Sequence, residues 1–314
     1  MKLNLGPMKI YHQLSDFHPP LYSVVTSGTF DGVHLGHQKI LERIKELAAR
    51  KQGETVLLTY WPHPRIILKP EDQSLRLLTT LSEKVKLLEE MGVDHLIILP
   101  FTKELSQMSS EEFIREILVD RIQTKTLVIG YDHKFGKNRE GSFEYLQSHS
   151  HLFGFAIEEI SRQDVDDLGV SSTKIRNALA QGDIATATKY LGRPYFLSGQ
   201  VVKGQQIGRS IGFPTANIRV EDAAKLLPRD GAYAVHAEVN SIRYKAILNI
   251  GDRPTVAGAE KTIEAHLLDF EGDLYGQELL IFFQEFLREE KRFESLEALK
   301  NQLLVDRERA IFIL

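Results

Sequence analysis

Two short runs combine glycines with hydrogen-bonding side chains at spacings that suit phosphate chemistry. The first, residues 28–37, reads GTFDGVHLGH and stands directly after a predicted strand and before a predicted helix. Gly28, Gly32 and Gly36 let the backbone turn tightly and approach a ligand, while the following helix offers unpaired N–H groups and the positive end of its dipole. His34 and His37, three apart across a glycine, can project to one side and donate to a triphosphate, stabilising charge as its α-phosphate is attacked. Neither needs to be a nucleophile. The same histidines with Asp31 could instead bind zinc, or stand in the turn with no chemical role.

The second run, residues 199–217, reads GQVVKGQQIGRSIGFPTAN. Gly204, Gly208 and Gly212 give a loop that can wrap phosphates. Thr215 and Asn217 alternate in an extended chain, face one side and can offer two neutral oxygens to Mg²⁺, a hard cation. The glycines by themselves would suit a hairpin in a β domain equally well. A third run, GYDHKFGKN from Gly130, comes near a P-loop but has five residues between its glycines and Asn138 where Ser or Thr would bind magnesium, so that reading fails.

The elements that must position these runs follow two rhythms. From residue 22 to 160, β-rich segments (22–27, 54–60, 95–101, 126–132 and 156–160) alternate with amphipathic ones. Ile40, Leu41, Ile44, Leu47 and Ala48 repeat at helical spacing over 38–51, and Ser109 with Glu112 reads as a capping box opening a helix over Phe113, Ile114, Ile117 and Leu118. Strands without hairpin turns between them need crossovers, so an open, doubly wound α/β sheet is expected, with ligands at the carboxyl ends of its strands. A helix follows Ser171-Ser172-Thr173 and a shorter one runs over 183–190; Gly192-Arg193-Pro194 then breaks the pattern. Beyond it, β-rich runs with turns between them predict an antiparallel barrel or sandwich, closed by a terminal amphipathic helix marked by Leu296, Leu299, Leu303 and Leu304. Two domains, 1–184 and 185–314, are expected.

With these motifs in order, the chain resembles the bacterial bifunctional riboflavin kinase/FAD synthetases. GTFDGVHLGH is similar to the HxGH nucleotidylyltransferase signature of their Rossmann-like adenylyltransferase half. Trp61-Pro62-His63-Pro64 resembles the family's aromatic-Pro-His-Pro loop, Gly130–Gly136 its Gly-x-Asn/Asp-Phe-x-Phe-Gly element, and SSTKIR (171–176) its SSTxIR signature. FPTAN (213–217), Gly231-Ala232-Tyr233, Asn249-Ile250-Gly251, Arg253-Pro254-Thr255, EAHLLDFEGDLYG (264–276) and LREEKRF (287–293) resemble the riboflavin kinase β-barrel, so the likeness covers nearly the whole chain.

The resemblance implies ATP and phosphate contacts from Gly28, Phe30, Asp31, Gly36, Ser172, Thr173 and Arg176 in the first half and from Gly204, Gly208, Gly212, Thr215 and Asn217 in the second. It implies Mg²⁺ on Thr215 and Asn217, Glu264 as the acid-base residue, His34 and His37 at adenylyl transfer, and flavin contacts from Pro62, His63, Asp132, Phe135, Arg139 and Arg288. Riboflavin plus ATP would give FMN and ADP; FMN plus ATP would give FAD and pyrophosphate. His133 and Trp61, where the family commonly has Phe, depart from the pattern, as do Val256, where an aromatic often follows Pro-Thr, and Ile311, near the family's terminal Arg.

Composition bounds the alternatives. A chain of 314 residues, 42% hydrophobic, can bury two cores. A formal charge of -4 supplies no general field for nucleic acid or anionic membrane, so a phosphate site must be local. Without cysteine there are no disulfides, thiolate zinc sites or cysteine nucleophiles. No signal-like start and no run of about 18 apolar residues is present, so a cytoplasmic protein is expected.

Overall fold

The computed structural model describes residues 7–72, 74–131, 133–160, 169–204, 208, 211–255 and 258–314. Two compact units emerge: one holds the chain up to Leu75 together with Leu81–Ser171, the other Arg76–Thr80 with Ser172–Leu314.

The first unit is a parallel sheet of β1 (Lys9–Tyr11), β2 (Ser23–Ser27), β3 (Glu54–Trp61), β4 (His95–Pro100), β5 (Thr124–Gly130) and β6 (Ala156–Ile160), in the order β1-β4-β3-β2-β5-β6. The short edge strand β1 escaped the sequence reading because three half-exposed residues carry no periodic signal. The chain leaves β2 toward β3 and β4 on one side and returns to β5 and β6 on the other. The order therefore reverses beside β2, which opens a crevice at its carboxyl end.

Helix α1 (Leu35–Lys51) buries Gly36, Leu41, Ile44 and Ala48, the face its spacing predicts. After α2 (Pro64–Leu68), α3 (Leu81–Glu90) and α4 (Lys103–Gln107), the capping box forms as expected: Ser109 accepts from the Glu112 N–H and Glu112 from the Ser109 N–H. The turn it opens, α5 (Ser110–Glu112), continues as a π-helix over Phe113–Arg121. Its buried Phe113, Ile114, Ile117 and Leu118 join β2, β3 and β5 in one core.

The second unit begins with α7 (Ser172–Gln181) and α8 (Ile184–Leu191), which follow α6 (Phe143–Phe153) of the first. Strands β7 (Phe196–Val202), β8 (Ala216–Arg219), β9 (Gly231–Val239), β10 (Ile242–Thr255), β11 (Gly258–Leu267) and β12 (Glu278–Arg288) close into an antiparallel barrel, in the order β10-β11-β8-β7-β12-β9. A closed barrel, rather than a sandwich, is thus the outcome. Segment 76–80 belongs to this unit: Leu77 bridges Lys225, whose buried ammonium donates to the carbonyls of Leu78 and Phe196 at 2.8 and 2.9 Å.

The terminal helix α9 (Leu296–Ile313) corrects an expectation. Its buried positions are Asp306 and Ala310, while Leu296 and Leu304 are exposed. Ala310 packs against Ala232, Ala234, Ile247 and Leu287 on the outer face of the barrel, and small alanines there admit the helix backbone. A barrel wall already closed by hydrogen bonds needs no leucine stripe to cover it.

Candidate functional sites

In the sheet unit, the loop after β2 carries the strain of a built site. Phe30 (φ 46°), Gly32 (φ 82°) and Val33 (φ 39°) turn the chain through the left-handed region, which is costly for a β-branched valine. The Phe30 ring is buried against His37, with centroids 4.8 Å apart, and a Cβ at Gly28 would stand 3.2 Å from it. His34 caps α1: its Nδ1 accepts the His37 N–H at 3.4 Å, which puts the ring proton of the neutral imidazole on Nε2. The two imidazoles stack at 3.7 Å, 13° from parallel. The expected pairing of His34 and His37 is met, at the positive end of a 17-residue helix beside the crevice, with buried Asp31 and Gly36 in the same turn.

Two further loops leave the same edge of the sheet. Trp61 ends β3, and Pro62 leads to His63, which caps α2 by accepting the Arg65 N–H at 3.2 Å. After β5, Phe135 is buried in the core, 5.6 Å from Phe113, and Gly141 is bridged to it so closely that a Cβ would meet its ring at 2.5 Å. Arg139 is exposed with φ 62°, and Asp132 lies outside the described residues.

The departures from the family pattern at His133 and Trp61 acquire physical meaning here. Burial, with the Arg139 charge adding to it, lowers the His133 imidazole to about 4. It is therefore a neutral ring at pH 7, 5.7 Å from Phe135, and substitutes for Phe without adding charge. Trp61 faces the ammonium of Lys84 at 5.5 Å, a cation–π contact. Lys84, 2% exposed on the first turn of α3, is lowered to about 8 by desolvation, against the opposing pull of Asp31. Sequence reasoning missed it, although a lysine three and four residues before the buried Leu87 and Leu88 sits on an apolar face and was a signal.

In the barrel unit, strand register brings distant residues into one transverse row. Asn217 on β8 opposes Glu264 on β11, Glu264 opposes Asn249 on β10, Asn249 opposes Ala232 on β9, and Ala232 opposes Arg288 on β12. Opposed residues of antiparallel strands share a face, so these five side chains project together from the wall that α9 covers. Thr215 donates to the Glu264 carboxylate at 3.1 Å. The loop before β8 closes on Gly208, whose carbonyl accepts the Phe213 N–H at 2.8 Å, with Gly212 at φ 84°. A Cβ on Gly204 would lie 2.1 Å from the Asn217 amide nitrogen, so glycine alone leaves that side chain its place. Strand β8 continues the chain read as extended over Thr215 and Asn217, while the place of Asn249 in the row was not anticipated.

Two cavities meet at this row. One, about 370 Å³, is bordered by Thr215, Glu264, Asn249, Ala232, Arg288 and by Leu299, Leu303 and Asp306 of α9. The other, about 820 Å³, is basic, with Arg76, Lys203, Arg219, Lys225, Arg229 and Lys261 against Asp222 and Asp230. Asn217 and Thr262 border both. Ser172, Thr173 and Arg176 fall in this unit at the start of α7, where Arg176 Nε donates to the Arg76 carbonyl at 2.7 Å.

The Thr215 hydroxyl and the Asn217 amide oxygen are hard oxygen donors of the kind that would hold Mg²⁺. Among the described residues no group of three or more His, Cys, Asp or Glu is placed to hold a metal ion, and His34, His37 and Asp31 form none. No helix among them is long and apolar enough to cross a membrane.

Family models match both halves of the chain. A family model described as FAD synthetase matches residues 18–174 and one described as riboflavin kinase matches residues 191–314. Bifunctional riboflavin kinase/FMN adenylyltransferases of Pseudomonas fluorescens and Escherichia coli K12 are 41% and 38% identical, covering 90% and 94% of this chain and 90% and 93% of theirs. A solved Streptococcus pneumoniae structure, described as a macrolide-efflux protein, is similar with TM-score 0.87 and 30% identity, over 96% of this chain and 98% of its own. An HxGH loop at the switch point of one unit, a polar row across the barrel of the other and relatives matched over nine-tenths of their length lead to one assignment: the chain belongs to the bifunctional riboflavin kinase/FMN adenylyltransferase family.

Proposed function

We propose that the barrel unit phosphorylates riboflavin and the sheet unit adenylylates the resulting FMN. The observation that carries the kinase half is the shared wall: Asn217 borders both cavities and stands opposite Glu264. The basic cavity suits a nucleotide, and the cavity floored by Ala232 and bordered by leucines suits a flavin. Glu264 accepts the proton of the terminal ribityl hydroxyl as its oxygen attacks the γ-phosphorus, and ADP leaves with the broken P–O bond. Mg²⁺ on Thr215 and Asn217 would supply charge neutralisation on the phosphates. Gly204, Gly208 and Gly212 allow the loop to wrap them.

For the second reaction, an FMN phosphate oxygen attacks the α-phosphorus of ATP and pyrophosphate leaves. His34, through its Nε2 proton, and His37 hold the charge that grows on the phosphate oxygens, with the α1 N-terminus behind them. Gly28, Phe30, Asp31 and Gly36 shape the ATP turn. Ser172, Thr173 and Arg176 contribute to the triphosphate on the strength of the SSTKIR motif. Pro62, His63, Asp132, Phe135 and Arg139 serve the flavin on the strength of theirs. A functional boundary at 184/185 falls between the two family matches, which end at 174 and begin at 191. The ATP-dependent chemistry and the absence of cysteine support a cytoplasmic setting.

The test is chromatography of flavins after incubation with riboflavin, ATP and Mg²⁺, with and without chelator. FMN followed by FAD is the expected course. Riboflavin left unchanged, or flavin turnover indifferent to chelator, would refute the reading or its metal.

A further inference from the structure

The polar row of the barrel ends on Arg288, whose main partner is not on the barrel. Its Nε donates to both carboxylate oxygens of Asp306 at 3.1 and 3.0 Å, and its Nη2 to Oδ2 at 2.8 Å. Gln302, one turn earlier on α9, adds a bond to Oδ1 at 2.9 Å, and Arg288 Nη1 donates to the Glu289 carbonyl at 3.1 Å. The Asp306 side chain is 4% exposed and that of Arg288 20%. Both border the smaller cavity, together with Glu264.

A helix gains nothing by burying a carboxylate while Leu296, Leu304 and Val305 stay in solvent, unless a partner offsets the desolvation. Arg288 is that partner, and the fork-to-fork geometry fixes orientation as well as charge. Three of its five N–H donors are then occupied, which leaves the others for a ligand in the cavity. The grip also seats α9 so that Leu299 and Leu303 border the same space.

We propose that Asp306 is a positioning residue of the kinase site, holding Arg288 and α9 in the geometry that receives the flavin. The inference rests on the reading of the smaller cavity as the riboflavin site. It predicts a selective defect: losing the Asp306 charge loosens the flavin wall and leaves the nucleotide cavity, which Asp306 does not border, as it was.

The experiment uses the full chain with Asp306→Asn, Asp306→Glu and, for comparison, Ala310→Ser, which lies in the helix seat against Ala232 and Leu287 and holds no charge. In Asp306→Asn the KM for riboflavin should rise about tenfold or more, with the KM for ATP within about twofold of the parent and FAD formation from supplied FMN unaltered. Asp306→Glu should recover part of the loss, and Ala310→Ser should shift the melting temperature without the selective KM effect. An unchanged riboflavin KM in Asp306→Asn overturns the proposal. So does an equal rise for both substrates with a fall in melting temperature that Ala310→Ser reproduces. Should Glu264→Gln retain full FMN formation, the cavity assignment itself fails; should Glu264→Gln be inactive while Asp306→Asn is normal, only the positioning role fails.

Discussion

The two sites are built on opposite plans. In the sheet unit the candidate glycines and histidines of the HxGH motif come from one run of ten residues that leads from β2 into α1, and the stacked imidazoles are three residues apart. In the barrel unit the groups come from five strands and a terminal helix, spanning Gly204 to Asp306, and none of Asn217, Glu264 and Arg288 is within twenty residues of another. A helix N-terminus is an anion site by itself, so a parallel sheet needs only one well-shaped loop at its switch point. A barrel wall has no such terminus. It must collect side chains by register, and only one face of each strand can contribute. The first plan concentrates the strain locally, at Phe30 and Val33; the second spreads the demand over pairing, a helix and glycines that keep clear of side chains.

Variants that separate the two reactions sharpen this contrast or break it. Glu264→Gln should lower FMN formation by about 10² to 10⁴-fold and leave FAD formation from supplied FMN intact, since it removes the proposed proton acceptor of one site only. Equal losses in the two assays would show that the units do not work separately. His37→Ala should reverse the pattern, lowering FAD formation by about 10² to 10³-fold with phosphorylation of riboflavin unaffected; an undiminished FAD yield would remove the histidine from the adenylyl site.

Gly204→Ala tests the distributed plan. The added methyl must displace Asn217, and kinase turnover should fall about tenfold or more while the melting temperature changes little. A kinase rate within twofold of the parent would mean that Asn217 is not held by that contact.

The smallest effect is expected from His133→Phe. The imidazole is depressed to about 4, so the unfolded chain binds more protons than the folded one between its ordinary value near 6.5 and about 4. The neutral ring's contribution to stability is complete above that window and is lost as pH falls through it. The phenylalanine variant should therefore show a flatter decline in melting temperature between pH 6.5 and 4, and an unchanged slope would place the histidine in water.

Reading from residues to structure succeeded where neighbours in the chain are neighbours in space. The HxGH turn, the α1 face and the Ser109–Glu112 capping box follow from local spacing. The alternation of Thr215 and Asn217 implies one face, and the Thr215 contact with Glu264 agrees with it. Glu264 itself was legible only through its likeness to a family, because a lone glutamate on a strand carries no local mark of its partners.

Sequence alone determined the sheet-and-helix rhythm, the β-rich second half and the glycine-rich turn that leads from β2 into α1, because backbone sterics, periodicity and helix ends act over a few residues. Tertiary structure alone decided that Asn249 and Ala232 stand between Glu264 and Arg288, that Lys84 lies under Trp61, and that α9 buries Asp306 rather than its leucines. Each of these depends on strand register or on a partner in another element, and a buried charge is tolerated only where the fold brings such a partner to it.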